Sequence, residues 1–201
     1  ISAGSSAGSE DYTAAVIRGL GEDLVHGVTM MPGKPTILGI VSGKPVMGNP
    51  GYPVSAILAF EIFIRPLLYR FQGLRTPQRP RAQAITAKKI PSKLGLDEFV
   101  RVKLGQVDEH LIAAPLPRGA GSVTTLTEAD GIIEIPSDVE GLQGEQATSV
   151  ELLKDLSQIE NTVVAVGSHD NTLDILANEV IARNPNYTLS STNVGSLGGL
   201  I

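Results

Sequence analysis

Cysteine is absent from this 201-residue chain, which excludes disulfides, thiolate zinc sites and cysteine nucleophiles and fits a reducing compartment. Aromatic residues make up only 4%. The basic middle of the chain therefore lacks the interleaved rings of a nucleic-acid surface, and no helix-turn-helix or RNP pattern accompanies it. Long apolar runs are missing too: Val54 to Leu68 is broken by Glu61 and Arg65 and falls short of the roughly 20 residues of a membrane span. No signal-peptide or lipidation motif is present. Only three histidines occur, His26, His110 and His169, too scattered for zinc-ligand spacing. Nothing in the sequence brings one of them to a serine, so no hydrolase triad is expected.

What is present suffices for a core. Hydrophobic residues reach 42%, while 22 glycines and 13 prolines make the chain loop-rich without reaching a low-complexity composition. The net charge of −5 is unevenly spread. Residues 65–103 hold ten Lys/Arg against Asp97 and Glu98, whereas residues 104–201 hold three bases against fourteen acids. Such asymmetry suggests separate units, and a basic middle with this pattern suits an anionic small molecule. The chain begins at Ile1 without Met and stops at Gly199-Leu200-Ile201, so it reads as an internal piece of a longer chain.

Periodicity and punctuation sketch three regions. A Gly/Ser loop, ISAGSSAGS, leads through Asp11, a candidate N-cap, into a helix carrying Tyr12, Ala15, Val16 and Leu20. Short strands follow at 24–31, 36–41 and 46–47. GNPGYP then opens a helix with Pro53 at its first turn, kinked at Pro66 and ended at Gly73. LRTPQRPR at 74–81 reads as a linker that packs poorly. Beyond it, β-type segments at 82–90, 99–107, 111–114, 131–135 and 148–153 suggest a small antiparallel barrel or sandwich, the last of them closing its edge. Residues 161–201 return to a strand, a helix and a second strand.

Three glycine-bearing loops carry the chemistry: GSSAGSED at 4–11, MPGKP at 31–35 and GNPGYPVS at 48–55. A Gly/Ser loop at a helix start offers free N–H donors and the positive end of the dipole, which suits phosphate. Ser5, Ser6 and Ser9 add hydroxyls. No P-loop or fully spaced dinucleotide fingerprint is present in this region.

These segments resemble the C-terminal half of the MoeA/gephyrin-type molybdopterin molybdenumtransferases. GSSAGSEDY is similar to that family's G-x-S-x-G-x-x-D-Y loop, MMPGKP to M-K-P-G-K-P, and GNPGYPVSA to G-L-P-G-N-P-V-S-A. EFVRVKL at 98–104 and GAGSVTTLTEADGIIEIP at 119–136 are similar to its E-F-x-R and G-x-G-S…A-x-G-L-I-x-L-P segments. The likeness covers residues 2–153. It implies a partial three-layer α/β (MogA-like) unit over 1–73 and a small β-barrel domain over 74–155; with the beginning of a second α/β domain over 160–201, read from the tail, the fold class is α/β. It also implies a cytoplasmic, dimeric enzyme that inserts molybdate into adenylylated molybdopterin with Mg²⁺ and releases AMP.

Under this resemblance Gly4, Ser5, Ser6 and Gly8 hold the phosphate end of the activated pterin. Pro50, Gly51, Pro53 and Ser55 shape the third substrate loop. Asp11 either caps its helix or coordinates Mg²⁺, whose hard character suits carboxylate oxygen. Lys34 is implied as a catalytic point charge for an oxyanion, and Arg101 and Ser122 as a second oxyanion position supplied by the β module. Two residues depart from the pattern: Met31 stands in place of the family's first lysine and Tyr52 in place of its asparagine. Methionine offers no charge, so the anion contact at that point is lost or moves to Lys34 or an arginine. A non-catalytic molybdate- or pterin-binding regulatory module, or a scaffold, remains the alternative. The tail resembles the first βαβ portion of a periplasmic-binding-protein-like domain, with Ser168, Thr192 and Ser196 as oxyanion-contacting or merely capping hydroxyls.

Overall fold

In a computed structural model, residue 1 and residues 12–168 and 170–193 are described. The first region is a small three-layer unit. Helix α1 (Tyr12–Leu20) precedes β1 (Gly21–His26), and β2 (Met30–Met31) precedes β3 (Ile37–Val41) and β4 (Lys44–Gly48). Strands β1, β3 and β4 form an antiparallel sheet in the order β1-β3-β4. Ser42 and Gly43 link β3 to β4 with φ of +52° and +72°, the two positive values that a two-residue hairpin loop needs to match strand twist. Alternation sorts this sheet's faces: Ile37 packs with Ala14 and Ile17 of α1, while Leu38 and Met47 face the next helix.

That helix opens at Pro53, where a missing N–H costs nothing. Helix α2 (Pro53–Ala59) runs through a π-helical turn at Phe60–Ile64 into α3 (Arg65–Phe71). The Arg65 N–H reaches back to the Phe60 carbonyl. The wider turn takes up Pro66, which has no N–H to give, without ending the helix. The expected kink is thus a π turn. Leu58 and Ala59 cluster with Met30, Met47 and, from the next region, Phe99.

The second region is a closed barrel. Its strands are β5 (Arg81–Thr86), β7 (Asp97–Val107), β8 (His110–Pro115), β9 (Gly131–Ile135) and β11 (Ala147–Leu152). Pairing runs β7-β8-β5-β11-β9, and β9 returns to β7. Four pairings are antiparallel and β5–β8 is parallel. Two short strands, β6 (Ile90–Pro91) and β10 (Gly141–Leu142), pair with each other, and β2 joins the barrel sheet parallel to β7. The eleven-residue β7 pairs with β9 through its first half and with β8 through its second. Val100, Val102 and Leu104 point into the core with Ile133, Ile135 and Val150.

Two five-residue helices lie outside the sequence expectation: α4 (Thr124–Glu128) and α5 (Leu156–Glu160). Each is too short to show periodicity. Ile159 of α5 is 1% exposed within the barrel's own cluster, a burial that contributes about 1.5–3 kcal/mol. Strand β12 (Thr162–Gly167), helix α6 (Asn171–Arg183) and strand β13 (Thr188–Asn193) then form a parallel βαβ unit. Val164 of β12 sits over Gly105 of β7, where an added Cβ would lie 2.8 Å from Val164 Cγ2.

The linker is held more firmly than its prolines suggest. Arg79 bridges Glu61 of the π turn at 3.1 Å and Glu151 of β11 at 3.4 Å. The Arg65 Nη2 donates to the Pro77 carbonyl at 3.2 Å. Among the described residues no helix is long and apolar enough to cross a membrane.

Candidate functional site

Two glycine-bearing loops from different regions meet in the fold. The Val54 N–H, at the start of α2, donates to the Ala120 carbonyl at 3.2 Å. The Tyr52 ring lies against Gly121, where an added Cβ would sit 3.6 Å from Tyr52 Cδ1. Pro50 and Ser55 are buried at the base of this loop, while Gly51 and Pro53 are exposed. The residue that departs from the family's asparagine therefore contacts the loop carrying Ser122.

Behind that loop lies Arg101. Strand alternation sends it to the outer face of β7, yet α4 and its approach cover it, and only 6% of it is exposed. Its Nε donates to Thr125 Oγ1 at 2.9 Å, and Nη2 donates to the Pro117 and Gly119 carbonyls at 3.0 and 3.5 Å. Thr125 Oγ1 in turn donates to the Ser122 carbonyl at 2.7 Å. No carboxylate among the described residues pairs with Arg101, and no described residue accepts from Nη1. Burial pulls the guanidinium pKa below its ordinary value. The result is a fixed, dehydrated cation balanced only by neutral acceptors, an arrangement suited to an arriving anion.

Arg101 borders two cavities. The larger, of about 450 Å³, lies between α2, the linker and the barrel, with Val54, Leu58, Pro77, Arg79 and Leu126 in its wall. The smaller, of about 260 Å³, lies between Met31-Pro32 and the start of β7. Ser122 lines neither cavity with its side chain. It is half-buried and linked to Arg101 through Thr125. Lys34 also lines neither. Its carbonyl accepts the Val28 N–H at 2.9 Å while its side chain is exposed, so Met31 and Pro32 are the residues of this loop that reach the cavities.

Gly4, Ser5, Ser6, Gly8 and Asp11 fall outside the described residues, as do His169, Ser196 and the Thr192 side chain. His26 and His110 are exposed at strand ends. Among the described residues no three His, Cys, Asp or Glu side chains converge. The described part thus offers no carboxylate set for Mg²⁺.

Sequence reading missed Thr125, Glu98 and Arg118. Arg118 Nη1 donates to the buried Glu98 Oε1 at 2.8 Å and to the Pro91 carbonyl at 2.6 Å. A threonine three residues after Ser122 was the only local signal for the first; nothing local marks the others.

An α/β unit whose loops meet a closed barrel beside a buried cation that pairs with no described carboxylate defines the class: a two-domain chain of α/β unit and β-barrel. Residues 1–70 match the probable molybdopterin binding domain, and residues 83–153 match the MoeA C-terminal region, domain IV. Residues 1–153 thus carry two domains of the kind found in MoeA molybdopterin biosynthesis proteins. A molybdopterin biosynthesis protein of Methanocaldococcus jannaschii is 35% identical over 154 residues, covering 77% of this chain and 36% of that protein. Molybdopterin molybdenumtransferase 2 of Mycobacterium tuberculosis is 38% identical over 112 residues, 56% of this chain and 27% of that protein. The crystal structure of the Pyrococcus horikoshii MoeA protein superposes with a TM-score of 0.59 at 41% identity, covering 72% of this chain and 35% of that one. The chain spans about a third of the length of these relatives.

Proposed function

We propose that this chain forms an anion-binding part of a molybdopterin molybdenumtransferase, which inserts molybdate into adenylylated molybdopterin with release of AMP. The observation that carries the reading is Arg101, buried and held by Thr125 and two carbonyls with no carboxylate partner among the described residues. Both substrates are anions, a pterin pyrophosphate and a tetrahedral oxyanion. A guanidinium fixed before they arrive stabilises developing negative charge without reorganising. Thr125 orients the guanidinium plane, and its link to the Ser122 carbonyl fixes the loop on which the Ser122 hydroxyl sits. The loop at 48–55 supplies the α2 N-terminus beside the larger cavity, whose volume suits an organic substrate. In this reading the Gly/Ser loop at 4–8 takes the phosphate end, Lys34 gives a mobile point charge, and Asp11 is a carboxylate for Mg²⁺. The working protein is a cytoplasmic homodimer.

The test is AMP release from adenylylated molybdopterin with molybdate and Mg²⁺ by the full-length parent protein. Release is expected, and it is expected to fall in Arg101→Gln and Lys34→Ala. Absence of release with retained binding of either ligand would favour the second reading, a non-catalytic binding module. Met31, uncharged in place of the family's lysine, is the observation behind that alternative.

A further inference from the structure

Helix α4 is five residues long and has few means of holding itself. Its N-cap, Val123, makes no side-chain capping bond, and the helix has neither a first-turn acid nor a last-turn base. A helix this short is unstable alone. Yet α4 carries Thr125, which orients the Arg101 guanidinium, and Leu126, which lines the larger cavity. Strand β7 supplies the support. Arg101 and Lys103 lie on one face of it, about 6.5 Å apart along the strand, and they take hold of opposite ends of the helix. Arg101 Nε donates to Thr125 near the N-terminal end at 2.9 Å. Lys103 Nζ donates to the Glu128 carbonyl at the C-terminal end at 3.2 Å. That carbonyl is one of those a helix end leaves without an internal partner, and a cation there also suits the negative end of the dipole. The chain leaving α4 is tied to β7 as well: the Asp130 N–H donates to the Val102 carbonyl at 3.0 Å.

We infer that Lys103 is a positioning residue for the Arg101 guanidinium, acting through the C-terminal end of α4 and Thr125. The inference deepens the proposed function and rests on it. Asp130 keeps partners without Lys103, because Lys154 reaches its Oδ1 at 2.7 Å and the Leu104 N–H reaches its Oδ2 at 3.0 Å. The Glu128 carbonyl separates the two lysines: Lys103 binds it, and among the described residues no bond joins Lys154 to α4. Without the Lys103 bond the last turn of α4 loosens and Thr125 moves with it. Arg101 then keeps its charge but loses its fixed direction.

Steady-state AMP release by the full-length parent protein tests this in Lys103→Met, Lys103→Arg and Lys154→Gln, together with hydrogen exchange of the 124–129 amides and of the Arg101 Nε–H read by NMR. Lys103→Met is expected to lower kcat about tenfold, with KM for adenylylated molybdopterin within about twofold of the parent, as for a misplaced group rather than a lost binding contact. Exchange in α4 and at Arg101 Nε should quicken. Lys103→Arg, which keeps the charge and the donors, is expected to restore most of the rate. Lys154→Gln breaks an ion pair with the same Asp130 but spares the Glu128 bond, so kcat and exchange in α4 should match the parent. In an Arg101→Gln background Lys103→Met should lower kcat no further, because residues that act through one another are not additive.

Parent-like kcat and exchange in Lys103→Met overturn the inference, as does an equal loss in Lys154→Gln or an undiminished loss in the Arg101→Gln background. If Lys103→Met melts early, Lys103→Gln, which keeps a donor for Asp130, takes its place with the same expectations. A parent that releases no AMP sinks the transferase reading, and exchange in α4 and at Arg101 Nε then decides the inference by itself. If the parent releases AMP at a rate that ignores Lys103, the proposed function stands and this inference alone falls.

Discussion

Arg101 and Lys103 stand two residues apart on one face of β7, each 6% exposed, and the chain treats them in opposite ways. Lys103 Nζ is 3.0 Å from Asp130, which also accepts from Lys154 at 2.7 Å and from the Leu104 N–H at 3.0 Å. Arg101 receives a threonine hydroxyl and two carbonyls. Burying a charge is tolerated when it is paired and hydrogen-bonded. Lys103 meets both conditions within the fold, and Arg101 meets only the second. The strand thus carries one cation that Asp130 neutralises and another that, among the described residues, neutral acceptors alone hold.

The sharpest way to break this contrast is to take the carboxylate from Lys103. Asp130→Ala is expected to cost about 3–5 kcal/mol, because it leaves a buried ammonium unpaired. A denaturant titration showing under about 1 kcal/mol would mean that Lys103 is not held by its charge. Next in size, Arg101→Gln is expected to slow AMP release by about 10²–10³, as for loss of a preorganised oxyanion donor. Its stability should fall by less than that of Asp130→Ala, since hydrogen bonds to Thr125 and two carbonyls are lost but no ion pair is broken. A stability loss rivalling that of Asp130→Ala would erase the distinction between the two cations. Thr125→Val is expected to cost about 1 kcal/mol and to lower turnover more than substrate affinity, because it frees the guanidinium without removing it. Steady-state kinetics with unchanged turnover would show that Thr125 does not orient Arg101.

The smallest effect is a pH dependence. Burial, opposed by Asp130, holds the Lys103 pKa below its ordinary value. The folded chain therefore sheds this proton at lower pH than the unfolded chain does. A depressed group contributes stability above its unfolded pKa and loses it as pH falls through the folded one. The stability difference between the parent and Lys103→Gln should rise toward alkaline pH. A difference that stays flat between neutral pH and the ordinary lysine range would contradict a Lys103 ammonium made more acidic by burial.

How much of this was legible in sequence divides along the same line as local and distant contacts. Pro53 marked the start of α2 and alternation marked β9 at 131–135, because both signals act between neighbours. Arg101 was singled out from its motif, yet nothing near it in sequence tells its environment from that of Lys103. The two differ through Asp130 and Thr125, more than twenty residues away. The attachment of β2 to β7 was hidden for the same reason. Met30 and Met31 are two residues long as a strand and find partners at Asp97 and Glu98. The π turn at Phe60–Ile64 read as a kink because proline signals a disturbed helix without saying how the backbone absorbs it.

Ile159 completes the barrel's interior from a helix that lies past the last barrel strand, and Val164 fills the notch over Gly105 a few residues later. The tail is therefore no cassette that can be exchanged at a seam near residue 155. A chimaera cut there would hand its new partner an unstoppered barrel, whereas a boundary placed beyond β12 would carry the stopper with it. The same geometry ties α5 and β12 to the barrel, so a protease is expected to reach those two elements only when the barrel opens.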